Sequence, residues 1–284
     1  MFNLKVENMK GQILQLSQNE SVYQIINIEG LTPPNANIFT TPIVNTDGEY
    51  FKSSKLQVRN LVITLKIKGD IEKNRIALYQ FFRTSKLCKV YYSNGTRDVY
   101  IEGYCESFEG ELFSQSQQMQ ISLLCPNPYF KSVDILTHDF SKVVSGFTFP
   151  FSIDENGIVF SDLQSEKITT VVNNGEMATG ILITMVAMKD GIENPTIYNV
   201  KTGEYLRVET TLNKSDVLII DTNKGKKSIT KIVNGISENA INSMSGSSTW
   251  LQLESGLHDF TYDTDSLDYE LKVTFEFNVQ YEGV

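Results

Sequence analysis

Apolar residues recur at every second position in two stretches of the first half of the chain. In residues 61–68, leucine and isoleucine alternate with a second set of side chains that ends in two lysines. Residues 119–125 alternate in a similar way. A period of two is typical of a strand with one buried face. Between these stretches, Asn94 and Gly95 separate two further β-rich runs. This dipeptide favours a type I′ turn, so we expect a hairpin there.

The residues after the first of these stretches change to a helical period. Gly69 ends the strand, and Asp70 is well suited to cap a helix over residues 71–82. In that segment Ile71, Leu78 and Phe82 lie seven and then four residues apart, which places them on one helix face. The sequence therefore predicts one helix of about three turns within a β-rich domain.

Residues 31–54 differ from the rest of the first half, because three prolines and a turn at Asp47 and Gly48 accompany large apolar side chains. These side chains are Ile38, Phe39, Ile43, Val44, Tyr50 and Phe51. Prolines are excluded from central strands, so we expect a protruding arm or a long hairpin. Its apolar side chains need a cover, either from their own domain or from a neighbouring subunit.

The second half consists of short apolar runs joined by glycine-containing turns. About ten such runs lie within residues 147–284, a pattern typical of a β-sandwich or jelly roll. The segment CPNPYF at residues 125–130 ends the first half, since its two prolines stop a strand. The sequence therefore predicts a mainly β protein, with an N-terminal domain at 1–131, a connector at 132–146 and a C-terminal domain at 147–284.

Charge is distributed unevenly along the chain, whose formal net charge is −9. Residues 1–130 hold 13 Lys and Arg against 12 Asp and Glu, whereas residues 131–284 hold 12 against 22. An acidic half repels phosphate backbones, so sequence-specific binding of nucleic acid is not expected. Membrane insertion is not expected either, because the longest apolar run, residues 181–188, is far shorter than the roughly 20 residues of a membrane helix.

Few residues in the sequence could carry chemistry. The three cysteines are widely spaced, and His138 and His258 have no second ligand at helical or hairpin spacing. Neither a metal site nor a cysteine–histidine pair is therefore predicted. No phosphate-binding loop, dinucleotide fingerprint or nucleophile elbow occurs. We expect no catalytic residues, no metal, no cofactor and no enzymatic activity.

One set of residues is a candidate for carbohydrate binding in the second half. Trp250, the only tryptophan, could stack on a sugar ring, with His258 and Arg207 as hydrogen-bond donors. These three residues are not linked in sequence. Trp250 also belongs to an alternating run, so packing in the core or at its rim is the competing interpretation.

Short segments spread along the whole chain resemble, in the same order, the siphophage distal tail protein family. In the first half they are NIEGLTPPNANIFT, YYSNGTRDVYIEGYCESFEGEL, CPNPYF and the following FTFPF. In the second half they are NPTIYNVKTGEY, IIDTNKGKKSIT, SSTWLQLESGLHDFTYD and YEGV. The chain departs from the family at His258, where members commonly carry Asn, and it has no room for an inserted sugar-binding module.

The resemblance implies a structural role. Such proteins form a hexameric ring through a β-rich domain with one helix and an extended hairpin arm, followed by a galectin-like β-sandwich. The ring joins the tail tube protein to the tail-tip hub protein and its receptor-binding proteins, and it leaves a channel for DNA. The implied location is the distal tail of the virion, assembled in the bacterial host cytoplasm. The arm maps onto residues 35–55, with Ile43, Val44, Tyr50 and Phe51 as contacts to the neighbouring subunit.

Two alternatives stay open from the sequence. The second half could make the protein a lectin-like adhesion protein through Trp250, His258 and Arg207, alongside or instead of a scaffold. The protein could also be the equivalent ring component of a phage-tail-like bacteriocin.

Overall fold

A computed structural model of the chain describes residues 2–19, 21–110, 117–145, 161–165, 168–267 and 270–284. The chain folds into two compact units. Unit 1 comprises residues 1–134 together with 280–284, and unit 2 comprises residues 135–279.

The elements of the first part of the chain are β1 (Asn3–Asn8), β2 (Ile13–Leu16), β3 (Tyr23–Glu29), β4 (Ala36–Pro42), β5 (Glu49–Leu56), β6 (Arg59–Ile67), α1 (Ile71–Phe81), β7 (Leu87–Ser93), β8 (Asp98–Gly110), β9 (Gln118–Cys125) and β10 (Phe130–Ser132). Those of unit 2 are β11 (Leu136–Asp139), β12 (Ser141–Ser145), β13 (Ser161–Ser165), β14 (Ile168–Asn173), β15 (Thr179–Gly180), β16 (Leu182–Ala187), β17 (Ile192–Glu193), β18 (Thr196–Asn199), β19 (Tyr205–Arg207), β20 (Thr211–Leu212), β21 (Val217–Asp221), β22 (Ser228–Val233), β23 (Ile236–Asn239), a 3₁₀ turn (Ile241–Ser243), β24 (Gln252–Leu253), β25 (Gly256–Asp263) and β26 (Leu271–Phe277). The final strand, β27 (Gln280–Tyr281), returns to unit 1.

Unit 1 is built on one large antiparallel sheet. Its strands follow the order β2-β1-β7-β8-β9-β6-β3, and β10 joins the sheet by pairing with both β8 and β27. The two alternating stretches of the sequence are neighbours, with Leu61 opposite Leu123 and Ile63 opposite Ile121. All four side chains are buried. The predicted strands with one buried face are therefore confirmed, and their apolar faces meet in one core.

Helix α1 forms where the sequence predicts it. Asp70 caps the helix, because its carboxylate accepts a hydrogen bond from the backbone N–H of Lys73 at 3.3 Å. Leu78 and Phe82 are buried in the core of unit 1, whereas Ile71 at the first turn is half-buried. The helix thus contributes one apolar face to the same core as the sheet.

Strands β7 and β8 form the hairpin predicted at Asn94 and Gly95, but the predicted type I′ turn does not form. Ser93 pairs with Asp98, so the connection has four residues instead of two. The side-chain oxygen of Asn94 accepts hydrogen bonds from the backbone N–H groups of Thr96 at 3.1 Å and Arg97 at 2.9 Å. Asparagine therefore closes this turn through its side chain.

Unit 2 contains a six-stranded sheet, in the order β11-β26-β16-β21-β22-β23, and a four-stranded sheet, in the order β14-β25-β18-β19. Phe275 of β26 meets Phe260 of β25 edge to face, with ring centroids 5.2 Å apart. Phe140 packs against Phe275 in the same manner, with a centroid separation of 4.9 Å. The inner faces of the two sheets are thus in contact, as in a β-sandwich.

The two units divide the chain differently from the boundaries predicted from sequence. Strand β11 lies inside the predicted connector, yet it pairs with β26, so unit 2 begins at Ile135. Residues 280–284, predicted to belong to the C-terminal domain, are part of unit 1 because β27 pairs with β10. The predicted start of the C-terminal domain at Phe147 lies outside the described residues.

Candidate functional site

Strands β4 and β5 form a hairpin whose strands pair only with each other in the part of the chain that the structure describes. We call this hairpin, residues 36–56, the arm. Its connecting turn uses Asn45 and Gly48, both in the left-handed region with φ of 61° and 99°. One extra residue in β5 shifts the register next to Phe39. The arm therefore forms from local hairpin pairing and not as part of the large sheet.

The arm exposes large apolar side chains on both of its faces. Tyr50 and Phe51 are consecutive on β5 and point to opposite faces, yet each is 66% exposed. Ile38 and Phe39 repeat this arrangement on β4, and Val44 at the turn is 85% exposed. Exposed apolar side chains grouped in this way are typical of an interaction site.

Three of the four contact residues predicted from sequence are exposed on the arm, namely Val44, Tyr50 and Phe51, whereas Ile43 is half-buried. Ile38 and Phe39 were absent from the predicted contact set although they are at least half exposed. The signal that could have found them is their position in β4, opposite Ser54 and Ser53 of β5. Small polar partners leave such side chains uncovered.

Charge on the arm is balanced. Asp47 and Glu49 are matched by Lys52 and Lys55, and all four are exposed. Unit 1 as a whole holds 14 Lys and Arg and 14 Asp and Glu, whereas unit 2 holds 11 against 20. Copies of unit 1 can therefore meet without net repulsion, which copies of unit 2 cannot.

A buried arginine lies at the root of the arm, as the first residue of β6. Arg59 is 2% exposed. Its Nε donates a hydrogen bond to the carbonyl of Pro128 at 2.7 Å, and Nη1 donates to the carbonyl of Thr32 at 2.6 Å. Nη1 also donates to the carbonyl of Gly30, and Nη2 to the carbonyl of Glu282. One guanidinium thus joins three separate segments of the chain.

Residues 280–284 complete this arrangement. The Arg97 Nη1 donates a hydrogen bond to the carbonyl of Gly283, and its guanidinium lies 4.2 Å from the ring centroid of Tyr281. The backbone N–H of Val284 donates to the carbonyl of Leu31 at 3.1 Å. The sequence gives no sign of this cluster, because its acceptors are backbone carbonyls, which every residue type provides.

The electrostatics of the Arg59 site favour a permanently charged group. Burial lowers the pKa of the Arg59 guanidinium, while Cys125 and Glu282 act in the opposite direction, and arginine remains protonated in proteins. Carbonyl dipoles and the face of Phe130, whose centroid is 4.6 Å away, stabilise the charge. Gly30 is needed here, because its φ is 87° and an added Cβ would lie 2.2 Å from the carbonyl oxygen of Asn60.

Three free thiols, those of Cys88, Cys105 and Cys125, are buried in unit 1. Burial raises the pKa of Cys88 and of Cys125 to about 12, and it also raises that of Cys105. Because the thiolate is both the nucleophile and the metal ligand, these cysteines are held in their inert form. Within the described residues, no group of three or more His, Cys, Asp or Glu is placed to hold a metal ion.

The carbohydrate candidates are placed apart in unit 2. Arg207 donates hydrogen bonds to both carboxylate oxygens of Asp265, at 2.9 and 2.5 Å, and this pairing lowers the pKa of Asp265. His258 is 8% exposed, and its Nε2 lies 2.9 Å from the carbonyl oxygen of Glu254. Thr196 is opposite Arg207 on one side and Asp263 on the other, so Arg207 and Asp263 lie at the same level of the sheet. His258 precedes Asp263 on β25, which puts His258 about 17 Å from Arg207 along the strand direction.

Trp250 is half-buried, with the ammonium group of Lys227 5.3 Å from its ring. The preceding residue, Thr249, donates a hydrogen bond to the carbonyl of Tyr205 at 2.8 Å, so Trp250 lies beside β19, which carries Arg207. Because His258 lies far from Arg207, the three candidates do not form one shared site. Carbohydrate binding stays a prediction.

Two family models match the chain. The phage tail protein RIFT-related domain matches residues 16–125, and the siphovirus-type tail component C-terminal domain matches residues 174–281. Each match lies largely within one unit of the fold. A sequence comparison with curated proteins finds no match. In the part of the chain that the structure describes, no helix has the length and apolar character to cross a membrane.

Solved structures with the same fold include the SPP1 Dit (gp 19.1) protein, described as a paradigm of the hub adsorption apparatus in phages that infect Gram-positive bacteria. Its TM-score is 0.69 at 12% identity, over 99% of both chains. A chain of the phage P2 baseplate in its activated conformation with Ca has a TM-score of 0.58 at 10% identity, over 100% of both chains. A chain of the same baseplate with Sr has a TM-score of 0.51 at 9% identity, over 97% of this chain and 98% of that one.

Proposed function

The chain belongs to the siphophage distal tail protein family, and from this premise we propose that it forms a hexameric ring that joins the tail tube to the tail-tip hub. The ring leaves a channel for DNA and presents a surface to receptor-binding proteins. The role is structural and requires neither catalysis nor a cofactor. The protein then acts at the distal end of the virion tail, after assembly in the cytoplasm of the bacterial host.

The observation that carries this proposal is the exposed apolar surface on both faces of the arm. A hairpin inserted into a neighbour makes a head-to-tail contact, in which two different surfaces of the subunit meet. Contacts of this kind close into a ring when the rotation between subunits divides a full turn. Burying one large apolar side chain contributes about 1.5 to 3 kcal/mol, so covering Ile38, Phe39, Tyr50 and Phe51 supplies a substantial driving force.

The charges of the two units support placing the contacts in unit 1. Unit 1 carries no net charge, whereas each copy of unit 2 carries −9. Six copies of unit 2 in mutual contact would repel each other, most strongly at low salt. We therefore assign the ring contacts to unit 1.

Light scattering after size-exclusion chromatography tests the proposal. Six subunits of 32.1 kDa give a particle of about 193 kDa, which negative-stain images should show as a ring with a central opening. A protein that remains at the monomer mass throughout the micromolar range contradicts the proposal. So does an open, growing filament.

A further inference from the structure

We propose that residues 280–284 act as a strap that binds a preformed site on residues 1–134 of unit 1 and thereby fixes the root of the arm, with Arg59 as the central positioning residue. The strap binds as an extended peptide and pairs with β10 through Phe130 opposite Tyr281. Its effect on the root of the arm is independent of the proposed ring. Only its consequence for assembly rests on the proposed function.

The site for the strap consists of groups that recognise an extended backbone. Arg59 and Arg97 donate to the carbonyls of Glu282 and Gly283, and Leu31 accepts from the N–H of Val284. Tyr281 adds side-chain recognition, because the Arg97 guanidinium lies over its ring. Strand pairing combined with one aromatic anchor is a general mode of peptide recognition.

The same groups hold the root of the arm. Arg59 donates to the carbonyls of Gly30 and Thr32, which lie just before β4, and Arg59 itself follows β5 closely. An added Cβ on Gly283 would be 2.9 Å from the Cδ of Pro33, so the strap lies directly against this segment. The two ends of the arm are joined by a hydrogen bond from the N–H of Gln57 to the carbonyl of Asn35, at 2.9 Å.

Removal of the strap would leave one of the Arg59 donors without its acceptor in a buried place. A buried charge that loses a partner must find water or move. Because the remaining acceptors of Arg59 belong to residues 30, 32 and 128, any movement is transmitted to the root of the arm. Order in the strap and order in the arm are therefore coupled.

Amide hydrogen exchange on the full chain tests this coupling. The variant Arg97→Met removes the Gly283 contact and the Tyr281 stacking while it leaves Arg59 intact, and Arg83→Met, at an exposed arginine of the same unit, is the matched control. We expect Arg97→Met to raise the exchange rates of Val284 and of Gln57 by about tenfold or more. Exchange in β6 and β9 should stay unchanged, and Arg83→Met should match the wild type.

If Val284 exchanges faster while Gln57 does not, the strap is a passive attachment and the proposal is wrong. Unchanged exchange at both amides contradicts it equally. A conservative variant gives a further check, because Arg59→Lys retains the charge but cannot reach all of its carbonyl partners. It should increase exchange at Gln57, and wild-type protection at that amide overturns the role of Arg59.

A peptide in trans tests whether the site is preformed. A chain that ends at Val279 should show reduced protection at Gln57, and the synthetic peptide NVQYEGV, residues 278–284, should restore it saturably. The same peptide with Tyr281→Ala should bind at least tenfold more weakly. Absence of rescue means that the site does not exist without the strap and overturns this part of the proposal. Should the shortened chain not fold, the full-length Arg97→Met variant decides the coupling.

The particle mass of Arg97→Met separates this inference from the proposed function. Loosened Gln57 exchange together with reduced ring formation supports both. Loosened exchange in a protein that never forms rings, even as wild type, supports the strap and contradicts the ring.

Discussion

At the scale of single residues, burial determines the chemistry of this protein. The three cysteines lie in the packed sheet of unit 1, which keeps their thiols protonated. Arg59 is buried in the same unit and stays charged, because its hydrogen bonds satisfy the guanidinium. A buried thiol avoids a charge by retaining its proton. A guanidinium remains charged when buried, so its N–H groups need hydrogen-bond acceptors.

The thiols should be unreactive in the folded protein. With pKa values of Cys88 and Cys125 at about 12, the thiolate fraction at pH 8 is about 10³-fold below that of an ordinary cysteine. We expect slow modification by a thiol reagent in native buffer and rapid modification of all three thiols in denaturant. Fast labelling of the native protein would contradict the burial of these side chains.

The same pKa shift makes folding stability depend on pH. The folded state holds these protons more tightly than the unfolded state does. Their stabilising contribution is therefore complete below the unfolded thiol pKa of about 8.5 and is lost as the pH rises toward the folded values.

At the scale of secondary-structure elements, the arm stands apart from the rest of unit 1. The other strands of unit 1 have paired neighbours in the nine-stranded sheet, but β4 and β5 have only each other among the described strands. An isolated two-stranded hairpin is marginally stable in water. Its stability must therefore depend on its root and, in the proposed ring, on the neighbouring surface.

Charged substitutions on the arm should damage assembly more than folding. The double variant Tyr50→Asp with Phe51→Asp places charges on two exposed positions. We expect its monomer to unfold within about 2 °C of the wild type, since exposed substitutions rarely exceed 0.5 kcal/mol, while ring formation is lost. Calorimetry and light scattering measure the two effects.

Ile236→Asp in β23, at an isoleucine that is 68% exposed, controls for the added charge and should still form rings. The interpretation of the arm is wrong if the double variant loses its fold, because the arm would then pack on its own domain.

At the scale of the whole molecule, unit 2 is an insertion in unit 1. The chain leaves unit 1 after β10 and re-enters at β27, and these two strands pair antiparallel, with Lys131 opposite Gln280. The two crossing points are thus close together, as the ends of a hairpin connection would be. A cut near residue 135 therefore removes part of unit 1 together with unit 2.

Closing unit 1 without unit 2 should give a stable fragment. Residues 1–134 joined to 280–284 by a short Gly/Ser loop keep the partners of Arg59 and Arg97, whereas residues 1–134 alone lack them. Hydrogen bonds to a charged group contribute about 1.5 to 3 kcal/mol each. We expect the free energy of unfolding of the closed fragment to exceed that of the open fragment by about 3 kcal/mol, which corresponds to a Tm higher by roughly 10 °C.

Thermal unfolding of the two fragments, followed by light scattering, measures this difference. The closed fragment should also form rings at low salt, while residues 135–279 should be an acidic monomer. Equal stability of the open and closed fragments would show that residues 280–284 contribute nothing to unit 1. Oligomers of residues 135–279 would contradict the assignment of the ring contacts.

The sequence by itself determined the features that depend on neighbouring residues. Alternation predicted β6 and β9, Asp70 predicted the start of α1, and the prolines around residues 31–54 predicted a segment outside the main sheet. Each of these signals depends on side chains within about a dozen positions of one another, and local backbone preferences respond at that range.

Tertiary structure alone decided which distant segments meet. The donor and the acceptor in the Arg59–Glu282 hydrogen bond are 223 residues apart, and the acceptors of Arg59 are backbone carbonyls. Because every residue carries such a carbonyl, no residue type marks the position that will receive the guanidinium. The same reason explains why the sequence predicts residues 280–284 in the C-terminal domain although they belong to unit 1. Their membership of unit 1 is set by strand pairing at long range, which leaves little trace in the local pattern.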